Sequence, residues 1–419
     1  MKRDEVRMCR KSRAMTHPEG TIPSRKGVRP VLLLAGLILQ LLFFSGCTAV
    51  QEEGSGPSPS GSAPHAGSGF IRYAKGFSLQ HHAGFITLHI DPAPDGRKDT
   101  LRYILLPSGA SVPKGFHGYV PVRTPVKRIA VFSTTHIGFI DMLGRSDGII
   151  GVSRPEFVNT PAVRSRIRSG AIKAIGMPFS PDVEVLLNLD PDLVIAPALP
   201  AARKTDYQAL VQAGIPVLVV AEWLEPSPLG RAEWIRLFGA LFGREDAARE
   251  KFDAIERSYR KLAALTENVR ERPAVLTGLP VKDTWFVPAG GSYVAALLHD
   301  AGAAYPWSDR PGTGSISLDI EAVYPVALEA PCWLNPGAVE SMDELLAMDV
   351  RFQDMLSVKT GRVYNNNRWI NAAGGNAYWE YGVLRPDLIL RDLISILHPG
   401  LLPKKGGKPD SLTFYREIR

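Results

Sequence analysis

The sequence predicts an α/β protein of two lobes with mostly parallel sheets flanked by helices, joined by one long rigid α-helix, plus a small N-terminal β extension. Three observations carry this. From Glu245 to about Val269 runs the longest uninterrupted helical pattern, with Phe252, Ile255, Tyr259, Leu262 and Leu265 recurring at steps of three and four among charged residues. It lacks Gly and Pro, and at about 1.5 Å per residue it approaches the span of a small domain. Short apolar runs alternate with amphipathic stretches on both sides of this rod, and the order of elements before it recurs after it.

In chain order, residues 1–46 carry nine Lys and Arg, then the apolar run VLLLAGLILQLLFF and Ser45-Gly46. That is the build of a signal peptide, and the run is short of the roughly 20 residues a bilayer-spanning helix needs. Met8 and Met15 remain open as alternative starts. Residues 47–69, rich in Gly, Ser, Pro and Ala, cannot bury enough apolar surface to fold and form a flexible tether. Residues 70–124 are a β extension in which FSLQ, FITLHI and LRYILLP read as antiparallel strands packed on the outside of the first lobe.

Residues 125–230 form the first α/β lobe. Arg128–Phe132, GIIGV, DLVIA and PVLVVA are buried strands; IGFIDMLG, SPDVEVLLNL and TDYQALVQAG are helices, with Ser180 and Pro181 opening the second of them. Residues 231–269 are linking helices. Residues 270–400 form the second lobe: strands PAVLTG, PCWLN and RVYNN, helices SYVAALLHDAGA, LDIEAVYPVAL, SMDELLAMD, RFQDML and RPDLILRDLISILHP. Residues 401–419 are a tail. Both halves give a strand, then a helix with a glutamate near its start (Glu184, Glu321), then a strand, and duplicated lobes place a cleft between them.

Charge and cysteine usage narrow the partners. The 419-residue chain has a net charge of +7, but removing the leader with its nine Lys and Arg and three Asp and Glu leaves 40 basic and 39 acidic residues. The basic excess therefore belongs to the leader and implies no nucleic-acid partner. Of three cysteines, Cys9 lies in the leader, Cys47 follows it, and Cys332 alone remains, so no internal disulfide is expected.

Open α/β sheets bind ligands in loops after their strands. These loops supply Thr135, His136, Trp223, Trp285, Gly291, Ser292, Tyr293, Trp379 and Glu380 as the candidate cleft. The indoles either line a pocket for a large planar ligand or plug the lobes as core. Gly290-Gly291 either lets backbone approach a ligand or turns strand into helix. His136 is a polar ligand contact or a satisfied loop histidine; direct metal capture would need three or four His, Asp or Glu converging from both lobes, and no metal set is assigned. No Walker loop, GxSxG, HExxH or post-strand GxGxxG is present, and the one enzymatic alternative is a glycosidase-like set of Glu222, Glu225 and Glu380. No catalytic role and no cofactor are expected.

Two resemblances sharpen these expectations. FSGC, ending at Cys47, resembles the lipobox of bacterial lipoproteins, with Phe44 where that motif usually has Leu; it implies lipidation of Cys47 and anchoring at a membrane surface on the extracytoplasmic side. IAVFSTTHIGFIDMLGRSDGIIGV, GMPFSPDVEVLLNLDPDLVIAP, LVQAGIPVLVV, the central helix and WFVPAGGSYVAALLHDAGAAYP followed by SLDIEAVYPVALEAPCWLNPG resemble the solute-binding proteins of ABC importers for iron-siderophores, cobalamin and haem. The resemblance implies a monomeric receptor with modest closure that delivers such a ligand to an ABC permease and its ATPase subunit. It also implies that Glu184 and Glu321 pair with permease arginines, against the alternative that they are solvated helix-start acids. A direct transition-metal receptor and a non-transport scaffold lipoprotein are the other readings.

Overall fold

The computed structural model describes residues 71–91, 100–198, 207–402 and 411–419; the leader, Cys47 and the tether lie outside them. Four strands make the N-terminal extension, β1 (Phe77–His82), β2 (Phe85–Ile90), β3 (Leu101–Pro107) and β4 (Val120–Thr124), in that spatial order. The first two pairings are antiparallel as expected, but β3 and β4 are parallel. The dozen residues between them provide the crossover length a parallel pairing needs. Nor is the sheet an external appendage: Phe77, Leu88, Ile90, Tyr103, Leu105 and Val122 join the first lobe's core. The Tyr103 hydroxyl also accepts a hydrogen bond from the Val219 amide.

The first lobe runs β5 (Ile129–Val131), α1 (Thr134–Met142), β6 (Ile149–Val152), α2 (Pro161–Arg168), β7 (Lys173–Ala174), β8 (Gly176–Met177), β9 (Ser180–Pro181), α3 (Val183–Leu189), β10 (Leu193–Pro197), α4 (Gln208–Gln212) and β11 (Val217–Val220). Its main sheet, β11-β10-β5-β6-β7, is parallel throughout. Strands buried on both faces explain the unbroken LVIA and VLVV runs. Ser180 and Pro181 do not open the following helix; they pair in a small hairpin with Gly176 and Met177, and Asp182 is the N-cap, accepting from the Val185 amide at 3.0 Å.

The linker comprises α5 (Pro228–Glu233), α6 (Ile235–Phe242) and α7 (Glu245–Thr266). Gly243, at φ 62°, ends α6 in the left-handed conformation that glycine adopts freely. Helix α7 is the bridging rod at 22 residues, about 33 Å long. Its Ala248 and Phe252 are buried in the first lobe's core and its Tyr259 in the second's, so one stiff element shares two cores.

The second lobe holds β12 (Val275–Thr277), β13 (Pro280–Val281), β14 (Thr284–Pro288), α8 (Tyr293–Asp300), β15 (Ser315–Asp319), α9 (Ile320–Glu329), β16 (Cys332–Leu334), α10 (Met342–Met348), α11 (Leu356–Lys359), β17 (Val363–Asn365), α12 (Pro386–Leu397) and β18 (Arg416–Glu417). Strands β12, β16 and β17 are parallel and β18 closes the edge antiparallel. A second sheet, β13-β14-β15, is antiparallel and was absent from the sequence expectation. Of the expected RFQDML helix, residues 351–354 lie in a 3₁₀ turn (Val350–Asp354) and Leu356 begins α11.

The two lobes meet a second time, away from the rod. Residues 369–384 leave the second lobe, make a single π-type turn at Tyr378–Gly382, and bury Val383 and Leu384 in the first lobe's core while Tyr378 stays in the second's. Gly138 of α1 permits this closeness, since an added Cβ would collide with the Glu380 carbonyl.

Candidate functional site

Helix α1 starts at the carboxyl end of β5, and its first turn is where candidate residues from both lobes converge. The Thr135 hydroxyl donates to the Trp379 carbonyl at 2.8 Å, joining the lobes. One residue on, His136 is fully buried, its Nε2 3.5 Å from Glu222 Oε2 and its ring 6.1 Å from Phe238. His136 thus stands behind the wall of the site instead of facing a ligand, a correction to the expected contact. The neighbouring Trp223 is partly exposed and its indole N–H donates to the Ala198 carbonyl at 2.9 Å. Trp379 is 47% exposed, its ring edge-on to Tyr378 at 4.9 Å. Each lobe thus contributes one exposed indole, Trp223 from the turn after β11 and Trp379 from the crossing segment that meets α1.

Glu380, beside Trp379, faces the opposite way. It is fully buried and accepts hydrogen bonds from the Asn159 amide at 2.7 Å, the Thr160 amide at 2.8 Å and the Thr160 hydroxyl. Tyr381 donates to the same hydroxyl at 2.8 Å. Asn371 adds a bond from Nδ2 to the Glu156 carbonyl at 3.1 Å. Burial raises the Glu380 carboxyl above its ordinary value despite these donors, and pushes the Tyr381 hydroxyl up to about 12. Glu380 is a clamp between lobes, not a ligand group.

Glu222 and Glu225 are likewise committed. Glu225 is buried, accepting from the Lys75 and Gly76 amides and from the Trp234 indole at 2.8–3.0 Å. Glu233 does the same for the Arg72, Tyr73 and Ala74 amides at 2.7–3.0 Å. No carboxylate of the glycosidase-like set is presented to solvent.

The other candidates sit elsewhere in the second lobe. Trp285 is fully buried, its indole donating to the Thr277 carbonyl at 2.9 Å and lying 5.7 Å from Trp333. The core alternative holds for this residue: β14 alternates, and Trp285 falls on its inner face. Gly291 is a turn, its amide donating to the Gly312 carbonyl at 3.0 Å, and buried Ser292 caps α8 by accepting from the Ala295 amide. Tyr293 lies under the Arg231 guanidinium at 4.1 Å, sharing a narrow recess with Pro228, Tyr378 and Val383 at the seam of the lobes. Sequence reasoning missed Trp369, which is 53% exposed at the other end of the crossing segment, where its carbonyl accepts from the Ala377 amide. The signal was there: an indole in the polar stretch NNNRWINAAGGN is unsupported by any apolar periodicity.

Glu184 and Glu321 are both exposed, each in the first turn of its helix. Their settings match residue for residue. Met177 pairs with Ser180 two positions before Asp182, and Phe286 pairs with Ser317 two positions before Asp319; Asp182-Val183-Glu184 then corresponds to Asp319-Ile320-Glu321 at the two helix starts. Among the described residues no group of three or more His, Cys, Asp or Glu is placed to hold a metal ion, and no helix is long and apolar enough to cross a membrane.

A two-lobed α/β molecule pinned by one rigid helix, with aromatic faces where the lobes meet, has the build of a solute receptor. Residues 129–366, more than half of the chain, match the Periplasmic binding protein family, and the chain belongs to it. The match runs from β5 to just past β17 and so leaves out the N-terminal sheet and the crossing segment. Among its relatives is the uncharacterized lipoprotein MJ0878 of Methanocaldococcus jannaschii, 25% identical over 288 residues. That alignment covers 66% of each chain, just under two thirds of the relative's own length. The petrobactin-binding protein YclQ of Bacillus subtilis is 23% identical over 207 residues, 49% of this chain and 59% of that one. A periplasmic heme binding protein from Pseudomonas aeruginosa shares the fold with a TM-score of 0.53 at 16% identity, covering 70% of this chain and 98% of its own. The family is one of substrate-binding proteins, and membership with lipoprotein relatives implies an extracytoplasmic location.

Proposed function

We propose that this chain captures a bulky, largely planar or aromatic iron complex, a ferric siderophore or a tetrapyrrole, and delivers it to an ABC permease with its ATPase subunit. The observation that carries the reading is the pair of exposed indoles, Trp223 in the turn after β11 and Trp379 in the crossing segment whose carbonyl meets Thr135 of α1. An exposed Trp costs solvation unless something covers it, and a conjugated ligand stacked on two such faces buries a large apolar area in one step. The names of relatives that bind petrobactin and heme support the same ligand class. Lipidation at Cys47 would keep the receptor at the membrane, and Glu184 and Glu321 would set its register on the permease through guanidinium contacts.

The two connections between lobes, α7 and the clamped crossing segment, favour capture by a nearly rigid receptor over wide closure. The test is native mass spectrometry with tryptophan quenching across hemin, cobalamin, a ferric tris-catecholate and zinc. Binding of one of the first three, weakened about tenfold or more in Trp379→Ala, is the expected outcome. Zinc binding alone, or hemin, cobalamin and catecholate affinities that ignore both Trp223→Ala and Trp379→Ala, overturns the proposal.

A further inference from the structure

We propose that the narrow recess at the seam of the lobes is an anion site, in which the buried guanidinium of Arg231 takes one small negatively charged group, a halide ion or a carboxylate oxygen. The site stands whether or not the cargo is an iron complex, because it follows from charge and burial.

Arginine cannot escape burial by losing its proton, so a guanidinium taken out of water needs a counter-charge and acceptors for its N–H groups. Arg231 has neither. It is 6% exposed, its Nε has no hydrogen-bond partner, and among the described residues no carboxylate forms an ion pair with it. The guanidinium stacks instead over the Tyr293 ring at 4.1 Å. An aromatic face is a weak counter-charge and no substitute for an acceptor oxygen. The acids nearest in sequence are committed elsewhere: Glu222 faces His136, Glu225 holds the Lys75 and Gly76 amides and the Trp234 indole, and Glu233 holds the Arg72, Tyr73 and Ala74 amides. Asp387, in the first turn of α12, is taken by Arg385 at 2.8 and 2.9 Å. Arg236, on the next helix, shows the usual provision, with Glu233 at 3.8 Å and Asp253 at 3.5 Å. The missing partner of Arg231 therefore comes from outside the chain.

The surroundings set the size of that partner. Arg231 lines the recess with Pro228, Tyr293, Leu297, Tyr378 and Val383, and the free space is about 10 Å³, room for one water-sized particle. A water there would satisfy a donor and leave the charge; a halide ion or one carboxylate oxygen answers both. Few polar groups compete for it, and the low dielectric of an apolar wall strengthens the pairing. Pro228 and Arg231 belong to α5, Tyr293 and Leu297 to α8 of the second lobe, and Val383 to the segment that enters the first lobe's core. An anion here bridges both lobes.

The experiment follows denaturant unfolding of the full mature receptor in sodium chloride or sodium bromide against sodium gluconate at constant ionic strength. The expected result is an unfolding constant about tenfold smaller once the halide reaches about ten times its dissociation constant. The response should vanish in Arg231→Met, which in gluconate should be at least as stable as the unsubstituted protein. As a second measurement, anomalous diffraction from bromide-soaked crystals of the unsubstituted protein should place an ion within hydrogen-bond reach of Arg231 Nε, a readout that needs no variant. Hemin and hemin dimethyl ester, which differ in their free carboxylates, tell the other source apart. No halide response, with a preference of about tenfold or more for hemin that is lost in Arg231→Met, assigns the site to a carboxylate of the ligand. A water only, with no halide response, no bromide peak and no preference for hemin over its ester, overturns the proposal. A halide response of equal size in Arg231→Met overturns it too. Failure of hemin to bind leaves the halide arm decisive, so the anion site and the cargo reading fall separately.

Discussion

Replacing Glu380 probes the second connection between the lobes. Its two oxygens serve three donors, the Asn159 amide at 2.7 Å, the Thr160 amide at 2.8 Å and the Thr160 hydroxyl, all without exposure of the carboxylate. In Glu380→Gln, one oxygen still accepts from Thr160, but the new amino group faces the Asn159 N–H, donor against donor. One buried amide left unpaired costs about 1–3 kcal/mol. In Glu380→Ala all three donors lose their acceptor, although the Thr160 hydroxyl can turn toward Tyr381, so two orphaned amides raise the expected cost to about 2–6 kcal/mol. The assay is amide hydrogen exchange by mass spectrometry, because the damage is local and a global midpoint averages two lobes. Exchange over residues 155–165 should accelerate about 5- to 150-fold in Glu380→Gln and further in Glu380→Ala, while strand β5 at Ile129–Val131 keeps its protection. Equal protection of residues 155–165 in all three proteins would show that the clamp contributes nothing to interlobe order.

Further expectations follow from the same packing. Gly138→Ala should lower stability by about 1–3 kcal/mol, measured by denaturant titration, because the obstructing atom is the Glu380 backbone carbonyl and not a flexible side-chain end. Glu233→Ala strips the acceptor from the Arg72, Tyr73 and Ala74 amides, so proteolysis near residue 73 should become at least tenfold faster; unchanged cleavage would mean the latch is redundant with Glu225. Glu380 and Asp392 both have carboxyl pKa values raised by burial, which means the folded state holds their protons more tightly than the unfolded state. Their contribution is therefore fully present below about pH 4 and is lost as pH rises through the folded values; the stability difference between the unsubstituted protein and Glu380→Gln should shrink over that interval, and a widening difference in chemical denaturation would contradict it. Trp285→Phe should leave hemin quenching of the remaining indoles intact, since Trp285 is sealed against Trp333 and Phe352.

The parts of the fold legible in the sequence were those with strong periodicity. The rod, the buried LVIA and VLVV strands and the closing helix α12 each carry a pattern that only one element satisfies. Sheet β13-β14-β15 stayed hidden because its strands are short and WFVP mixes an inward Trp with an outward Phe, giving four apolar letters no visible alternation. The parallel pairing of β3 with β4 was illegible for a different reason. Direction depends on where a long connection returns, and composition does not encode that.

The site divides along the same line, and the division has a physical cause. Trp223 and Trp379 could be picked out because each interrupts a polar or turn-rich stretch, and both are open in the structure. Trp285 satisfied the same local test and failed, since its inward face is set by strand register, which no neighbouring residue announces. The buried acids invert the usual inference. Glu225, Glu233, Glu380 and Asp392 sit among aromatic and turn residues as functional acids often do, yet each gathers two or three backbone amides from a distant segment. A carboxylate can satisfy several amides at once with charge-assisted bonds, so a chain whose N-terminal segment, crossing loop and C-terminal strand all need anchoring without local secondary structure uses acids as fasteners. Exposed Glu184 and Glu321 gather no such amides, and their equivalence emerged from register: a Ser pairing, an Asp at the cap and a Glu two residues on, repeated in both lobes. Burial separates the two kinds of glutamate, and only the second kind is free to meet another protein.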